Sequence, residues 1–473
     1  MNRALAAIAL ALLLVTACSA PQEPPRPAPT APADAASNPF GLKWDGYQHP
    51  PEYDADIGAY AGGATFHDIV WCAVEPEQGA REWSLDDRVV TGLLGVRYHV
   101  MLRIRIGTCW ATGDPADPKP RAAASRPPAD ISAYQAFVED LVRRYAAMGV
   151  HQYAIENEID AENFWADDPA TYGAVGRAGA EAVRRADPTA IVADPGLSSS
   201  SYGIAVAHDY DLRTRPDDAL RIYAAYYARR GAGRFPPAAD TPALRAAFDT
   251  PAGQRAVAAH QAVRDLDENG VFDVYQLHYY DPWALLPEIL EYVKRNLPAT
   301  TTVEAWEVGT FWPGADYDEN AHGTETAKLV VTLLAAGVRR VVYLPLYYRP
   351  NAIAANETWR GLYGADDTPR PAKTVFDQLR QHTATGQWQP LGKPGVTGGA
   401  VDLGNRTVFV VWSADGAVVP LAFGEPVGAA EVVALPSGEP RIWGSGPLQV
   451  GPEPLLVTLS TPFDRAKRWL ESP

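Results

Sequence analysis

The sequence predicts an α/β fold, a (β/α)8 TIM barrel followed by a small C-terminal β-sandwich. From about Pro39 to Gln381, short apolar runs alternate with longer amphipathic ones, the pattern of parallel strands joined by crossover helices. After Gln381 the helical periodicity stops, and short β-rich runs separated by Gly, Pro, Asp and Asn take over. A length of 473 residues leaves room for one large domain and one small companion behind an N-terminal leader. The expected organisation is a leader over residues 1–18, a tether over 19–38, the barrel over 39–383, and the β-sandwich with a short terminal helix over 384–473.

Arg3 precedes an unbroken apolar run from Ala4 to Val15, and Thr16-Ala17-Cys18 follows: the charged start, hydrophobic middle and small-residue cleavage site of an export signal. The run is too short for an ordinary membrane-spanning helix. Val15-Thr16-Ala17-Cys18 resembles the bacterial lipobox, which implies a lipid on Cys18 and a protein exported and anchored to the cell envelope. A plain signal peptide is the other reading. The stretch from Pro21 to Asn38 is crowded with Pro and Ala and lacks apolar periodicity, as an extended tether would.

The barrel strands then follow in order. Gly41 to Gly46 is expected as strand one, with a helix around Ala55 to Tyr60; Ala64 to Ala73 is strand two, with Leu85 to Leu94 as its helix. Tyr98 to Ile106 is strand three. Ser132 and Gln135 fit a capping box for the next helix, whose buried face is Tyr134, Phe137, Val138, Leu141, Val142 and Tyr145 and whose stop is Gly149. Strands four to six are expected at Gln152 to Glu158, Ala190 to Ala193 and Val271 to Tyr279. A long insertion from about Ser198 to Gly270 carries helices near Asp217 to Tyr227 and Gly253 to Leu266. Strand seven is Thr302 to Val308; the helix Thr326 to Ala336 leads to strand eight, Arg340 to Leu346. In the second domain, Thr407 to Trp412, Val418 to Phe423, Glu431 to Leu435 and Leu455 to Leu459 read as strands, and Phe463 to Leu470 as a closing helix.

Composition narrows the function. With 41 basic against 57 acidic residues the net charge is −16, which disfavours nucleic acid as a partner. Thirteen Trp and 22 Tyr suit carbohydrate, whose C–H faces stack on aromatic rings, although core packing uses the same residues. Beyond Cys18 only Cys72 and Cys109 remain, at the ends of consecutive strands. In an oxidising exported setting they form either a disulfide or two buried thiols. The nine histidines show no metal-ligand spacing, no phosphate-cradling loop precedes a helix, and no Gly-x-Ser-x-Gly elbow occurs. Asp265 to Gly270 begins like a calcium loop, but its twelfth position is Gln276, where a bidentate acid is needed. No metal and no organic cofactor is therefore expected, and the chain is read as a monomer.

Barrel enzymes gather their sites at the carboxyl ends of the strands. Glu158 ends strand four and Glu307 ends strand seven. A retaining glycosidase needs such a pair, one carboxyl to protonate the departing oxygen and one carboxylate to attack the anomeric carbon. The chain resembles glycoside hydrolase clan A, which includes families 5 and 39. The resemblance rests on Asn157-Glu158, on Glu307 followed by Gly309, on His278-Tyr279-Tyr280 ending strand six, and on Trp71-Cys72-Ala73-Val74-Glu75-Pro76 with Gly79, Trp83 and Asp86 after strand two. It implies Glu158 as acid/base, Glu307 as nucleophile, Asn157 on the sugar 2-hydroxyl, Tyr280 holding the nucleophile and His278 touching substrate. Trp71, Trp110 and Trp312, all near strand ends, are candidate stacking residues for the sugar.

Neighbouring acids compete with these assignments. Simple alternation turns Glu304 away from Glu307, with Ala305 facing inward. Glu156 reads as a buried structural acid, and Asp160 as a loop or helix-capping residue. Three departures from the clan pattern stand out. Strand two lacks the arginine many members carry beneath the nucleophile, so Arg103 or Arg105 on strand three substitutes or the pocket differs. Ile159 replaces the proline that often follows Asn-Glu, and Tyr347 and Tyr348 stand near the place of a strand-eight tryptophan. The expectation is a retaining glycoside hydrolase acting on oligo- or polysaccharides. A carbohydrate-binding lipoprotein on the same fold, or a transglycosylase, is the alternative.

Overall fold

The computed structural model describes residues 38–466 except 45–50, 114–123, 231–232, 313–315, 348–358, 392, 422–429 and 445. The leader, Cys18 and nearly all of the tether lie outside the described residues, as do Tyr348 and the end of the closing helix, which is helical over 463–466. No helix among the described residues is long and apolar enough to cross a membrane.

Eight parallel strands make the barrel: β1 (Phe40–Leu42), β2 (Ala64–Val70), β3 (His99–Arg105), β4 (Gln152–Ile155), β5 (Ile191–Ala193), β6 (Val274–Tyr279), β7 (Thr302–Val308) and β8 (Val341–Tyr343). Hydrogen bonding follows chain order from β2 round to β8, and β8 pairs back onto β1. The seam between β1 and β2 closes by close approach, since a Cβ on Gly41 would lie 2.2 Å from the Ala64 carbonyl oxygen. Ala64, Phe66, Met101, Ala154, Ala193, Val274, Trp306 and Val342 form one cluster inside the barrel. The alternate residues, among them Leu102, Ile104, Tyr153, Ile155, Leu277, Ala305 and Val341, pack outward against the helices.

The helices are α1 (Asp54–Ala59), α2 (Trp71–Val74), α3 (Ser84–Gly95), α4 (Ile131–Ala146), α5 (Tyr172–Ala186), α6 (Ser199–Leu212), α7 (Pro216–Tyr227), α8 (Thr241–Phe248), α9 (Pro251–Glu268), α10 (Leu286–Arg295), α11 (Glu319–Ala335) and α12 (Pro371–Thr383). The face expected for α4 is buried in full. Its cap differs: Asp130, not Ser132, accepts the first free N–H groups, from Ser132 at 2.8 Å and Ala133 at 3.4 Å. Gln135 instead reaches across to the Ala178 carbonyl on α5. The insertion holds four helices rather than two: α6 is buried on several sides and lacks a clean amphipathic stripe, whereas α8 is only eight residues long, with Leu244, Ala247 and Phe248 as its buried face. Strand two stops at Val70, where α2 takes over.

The C-terminal region is a β-sandwich. Its six-stranded antiparallel sheet runs in the order β14 (Pro440–Trp443), β13 (Ala430–Ala434), β16 (Leu455–Leu459), β11 (Thr407–Ser413), β10 (Val396–Asp402), β9 (Gln387–Pro390). A two-stranded sheet of β12 (Val419–Leu421) and β15 (Leu448–Val450) faces it. One face of the large sheet joins the barrel's outer core through Val401, Val408, Val410 and Trp412. Trp412 meets Trp283 edge-on at 5.5 Å, and Lys328 of α11 sits 4.7 Å over the Trp283 ring.

Candidate active site

Alternation along β6 aims Gln276, His278 and Tyr280 into the barrel mouth, and alternation along β3 does the same for Met101, Arg103 and Arg105. Two irregularities bring in the remaining groups. After β4 the chain leaves the extended state: Glu156 has φ 70° and Glu158 φ 42°, left-handed values that only surrounding structure sustains. The Glu158 N–H donates to the Pro195 carbonyl at 3.1 Å, and the Glu156 N–H to the Ile104 carbonyl at 2.9 Å. Consecutive residues Asn157 and Glu158 thereby both face the cleft.

The second irregularity corrects the reading of β7. The register between β6 and β7 slips between Leu277, opposite Ala305, and His278, opposite Glu307, leaving Trp306 as an extra residue. This bulge reverses the alternation. Glu304 therefore points inward with Trp306, not outward, and Ala305 packs outside. Wholly buried, Glu304 accepts from Gln152 at 2.8 Å and from the Trp306 indole at 3.0 Å and pairs with Arg340 at 3.1 Å, so it braces the barrel interior. Without the slip, Glu307 would share the outward direction of Ala305.

Glu307 is gripped from two sides. Arg103 donates one guanidinium nitrogen to it and the other to Asn157 Oδ1 at 2.6 Å, while the Tyr280 hydroxyl donates to it at 2.8 Å. Burial pushes the Glu307 pKa up, but His278, Arg103 and Tyr280 outweigh it and hold the carboxyl at about 2. Arg103 is itself buried, with Phe66 stacked 3.9 Å from its guanidinium carbon. The arginine missing from strand two is thus supplied from strand three. Its other neighbour is Asp68 of β2, at 3.8 Å, a partly exposed carboxylate kept ionised against burial by Arg103, Arg105 and Lys43.

Glu158 stands opposite, with His278 Nδ1 at 2.8 Å from its Oε1. Burial raises its pKa, against the lowering that a proton on His278 Nδ1 would bring; the charges of Glu307 and Asp160 raise it further, and the net shift is upward. A ligand-type atom from each of Glu158, His278 and Glu307 lies within 4.8 Å of the others, a spacing that a metal ion could bridge. Both Glu307 oxygens already accept from donors, and the Arg103 cation balances its charge, which leaves the carboxylate little to offer a metal ion.

Glu156 is buried and accepts from the Ile106 N–H at 2.7 Å, as a structural acid does, and burial lifts its pKa to about 7. Asp160 anchors a loop: it accepts from the backbone N–H of Ser198 at 2.8 Å and pairs with Arg234 at 3.1 Å. His278 has no exposed surface and is bonded to Glu158 and Gln276, which corrects its expected contact with substrate. Trp71 is a core residue, enclosed by Trp110, Tyr134 and Phe137 with its indole N–H on Glu75, so no ring face is left for a sugar. Trp110 is half-buried and donates to the Glu75 carbonyl at 2.8 Å. Trp312, 6% exposed, lies between the Arg229 guanidinium and the edges of Tyr317 and His322. Tyr347 stacks on Tyr53. Cys72 and Cys109 are joined by a disulfide, with Cα atoms 5.6 Å apart, that ties α2 to the loop after β3. Asp68, Asp194 and Gln276 carry no motif; their polar side chains on strand ends were the only signal.

No protein-family model matches the sequence, and no curated protein matches it. Solved structures do match. A family 39 glycoside hydrolase from the gut symbiont Bacteroides cellulosilyticus WH2 aligns with a TM-score of 0.58 and 14% identity, over 90% of this chain and 81% of that one. A family 39 β-xylosidase from Caulobacter crescentus aligns at 0.54 and 13%, over 90% and 97%. The catalytic domain of family 30 xylanase C from Talaromyces cellulolyticus aligns at 0.52 and 12%, over 89% and 96%. At such identities the likeness is one of fold, and the fold of this chain is the one these family 39 and family 30 glycoside hydrolases share.

Proposed function

We propose that the chain is a retaining glycoside hydrolase that cleaves O-glycosidic bonds of oligo- or polysaccharides by double displacement, with Glu307 as nucleophile and Glu158 as acid/base. One observation carries the reading: carboxyl oxygens of two acids on opposite sides of the barrel mouth lie within 4.8 Å of each other. Retaining enzymes hold their pair about 5–5.5 Å apart, whereas inverting enzymes need about 6.5–9.5 Å to admit a water. The two environments differ in the required sense, one acid held ionised and the other inclined to keep its proton.

In the first step Glu158 gives its proton to the leaving oxygen as the C–O bond breaks, and a Glu307 oxygen bonds to the anomeric carbon. Once Glu307 is esterified its negative charge is gone and the pKa of Glu158 falls, so Glu158 takes a proton from water as that water displaces the ester. In this reading Asn157, held by Arg103, bonds the sugar 2-hydroxyl.

The test uses an activated aryl glycoside and azide. Glu307→Ala should abolish hydrolysis, and any glycosyl azide it forms should have inverted configuration; Glu158→Ala should be rescued by azide with retention. Full activity in both variants would overturn the assignment, and added sugar acceptors would expose a transglycosylase by its products. The anchoring expected from Cys18 belongs to the same reading: Cys18→Ser should move the protein from the membrane fraction to the soluble one.

A further inference from the structure

We propose that Gln276 is a positioning residue that pins the tautomer of His278 and thereby keeps the mobile proton of the acid/base on Glu158; this rests on the glycosidase reading of the same site. The constraint begins at the backbone. The Asp194 carbonyl oxygen can only accept, so the Gln276 side chain must meet it with its amide NH2. That orientation turns Gln276 Oε1 toward His278 Nε2, 3.0 Å away. An amide oxygen also only accepts, so Nε2 carries a hydrogen. In the neutral ring Nδ1 is then a bare acceptor, and it faces Glu158 Oε1 at 2.8 Å. The single proton in that bond belongs to Glu158.

Gln276, His278 and Asp194 are all wholly buried, so a wrong tautomer would leave a polar atom unpaired where water does not reach. The turn Asp194-Pro195-Gly196 supports both ends. Asp194 Oδ1 accepts from the N–H groups of Gly196 and Gln276, each at 2.9 Å, and Pro195 holds the Glu158 backbone. Gly196 has φ +62°, and a Cβ there would lie 2.5 Å from His278 Nε2, inside the space the ring needs. The groups that face His278 are Glu158, Glu307 at 3.8 Å, Asp194 and Gln276, with Arg103 and Tyr280 beyond Glu307.

The consequence is a proton kept where both steps need it. With a hydrogen fixed on Nε2, ionised Glu158 would set an oxygen lone pair against the Nδ1 lone pair, which favours the protonated acid before the first step. After the proton has gone to the leaving group, the same opposition makes Glu158 a stronger base toward water. A hydrogen on Nδ1 would do the reverse, stabilising the carboxylate and weakening both roles. His278 keeps its Nε2 hydrogen throughout.

Nitrogen NMR of the full-length protein labelled with 15N-histidine reads the tautomer directly, with His278 assigned by the signal lost in His278→Asn. Near neutral pH the wild type should show a neutral ring with hydrogen on Nε2; Gln276→Glu, which keeps an acceptor there, should retain the Nε2 hydrogen, and Gln276→Leu should move the hydrogen to Nδ1. In Gln276→Leu the alkaline limb of kcat/KM should shift to lower pH by about one unit. Glycosides with alkyl leaving groups, which need the acid, should lose more activity than dinitrophenyl glycosides. A wild-type ring protonated on Nδ1, neutral or doubly protonated, overturns the proposal, and so does a Gln276→Leu variant that loses both substrates equally with its alkaline limb unmoved. The spectra need no turnover: a wild type with the Nε2 hydrogen that cleaves no glycoside sinks the glycosidase reading and leaves the His278 assignment standing. If Gln276→Leu does not fold, the wild-type and Gln276→Glu spectra decide.

Discussion

Replacing Arg103 by methionine tests the electrostatics of Glu307, the proposed nucleophile, most directly. Its guanidinium bridges Glu307 and Asn157, and it is 2% exposed, so solvent cannot take over its role. A hydrogen bond to a charged group contributes about 1.5–3 kcal/mol. One pKa unit corresponds to about 1.4 kcal/mol, so losing Arg103 should raise the Glu307 pKa by about one to two units. The proposed nucleophile acts when ionised, and the folded pKa of Glu307 is depressed to about 2, so wild-type activity should be lost only as pH falls through that value. In Arg103→Met the acid limb of kcat/KM should therefore begin at a higher pH, by about the same one to two units. Stability follows the same sign: the pair stabilises the fold above the ordinary carboxylate pKa of 4.5, and that stabilisation fades as pH falls toward about 2. Breaking a buried pair costs about 3–5 kcal/mol, and the partial exposure of Glu307 and Asp68 places the loss at the lower end. The assay is kcat/KM against pH on a dinitrophenyl glycoside, with circular dichroism to confirm folding at each pH. A folded Arg103→Met enzyme with an unmoved acid limb would refute the electrostatic account of Glu307.

Other substitutions probe separate parts of the structure. Glu156 has its folded pKa raised by burial to about 7, so wild-type stability should decline as pH rises from 4.5 to 7. Glu156→Gln keeps the acceptor for Ile106 and should remove that decline, by up to about 3 kcal/mol in urea unfolding at pH 7.5 relative to pH 4.5; parallel pH dependence in the two proteins would contradict the assignment. Reducing the Cys72–Cys109 bridge, or replacing both residues by serine, should cost about 2–4 kcal/mol in denaturant unfolding, given the 37-residue separation. Gly41→Ala should lower stability by about 1–3 kcal/mol or more, because its methyl group would meet the Ala64 carbonyl at the β1–β2 seam. An unchanged melting temperature in that variant would mean the seam is looser than described.

Much of this molecule follows from local rules. The boundaries of β7 and β16, the buried face of α4 and the change from helical to β periodicity near Gln381 all depend on residues close together in the chain, so a single pass along the sequence reads them. The same holds for Glu158 and Glu307, because strand-end acids in the right order mark a barrel's mouth without any knowledge of distance. What tertiary structure decided depends on partners far away in sequence. The bulge at Trp306 exists only because β6 and β7 pair out of step, and that slip turned Glu304 inward and aimed Glu307 at the cleft. Arg103 became the counter-ion of Glu307 because β3 lies across the barrel from β7, and Trp71 became core because α4 packs over it. A sequence orders its strands by pattern, but the direction of each side chain at a bulge or a left-handed turn is set by the neighbour it meets.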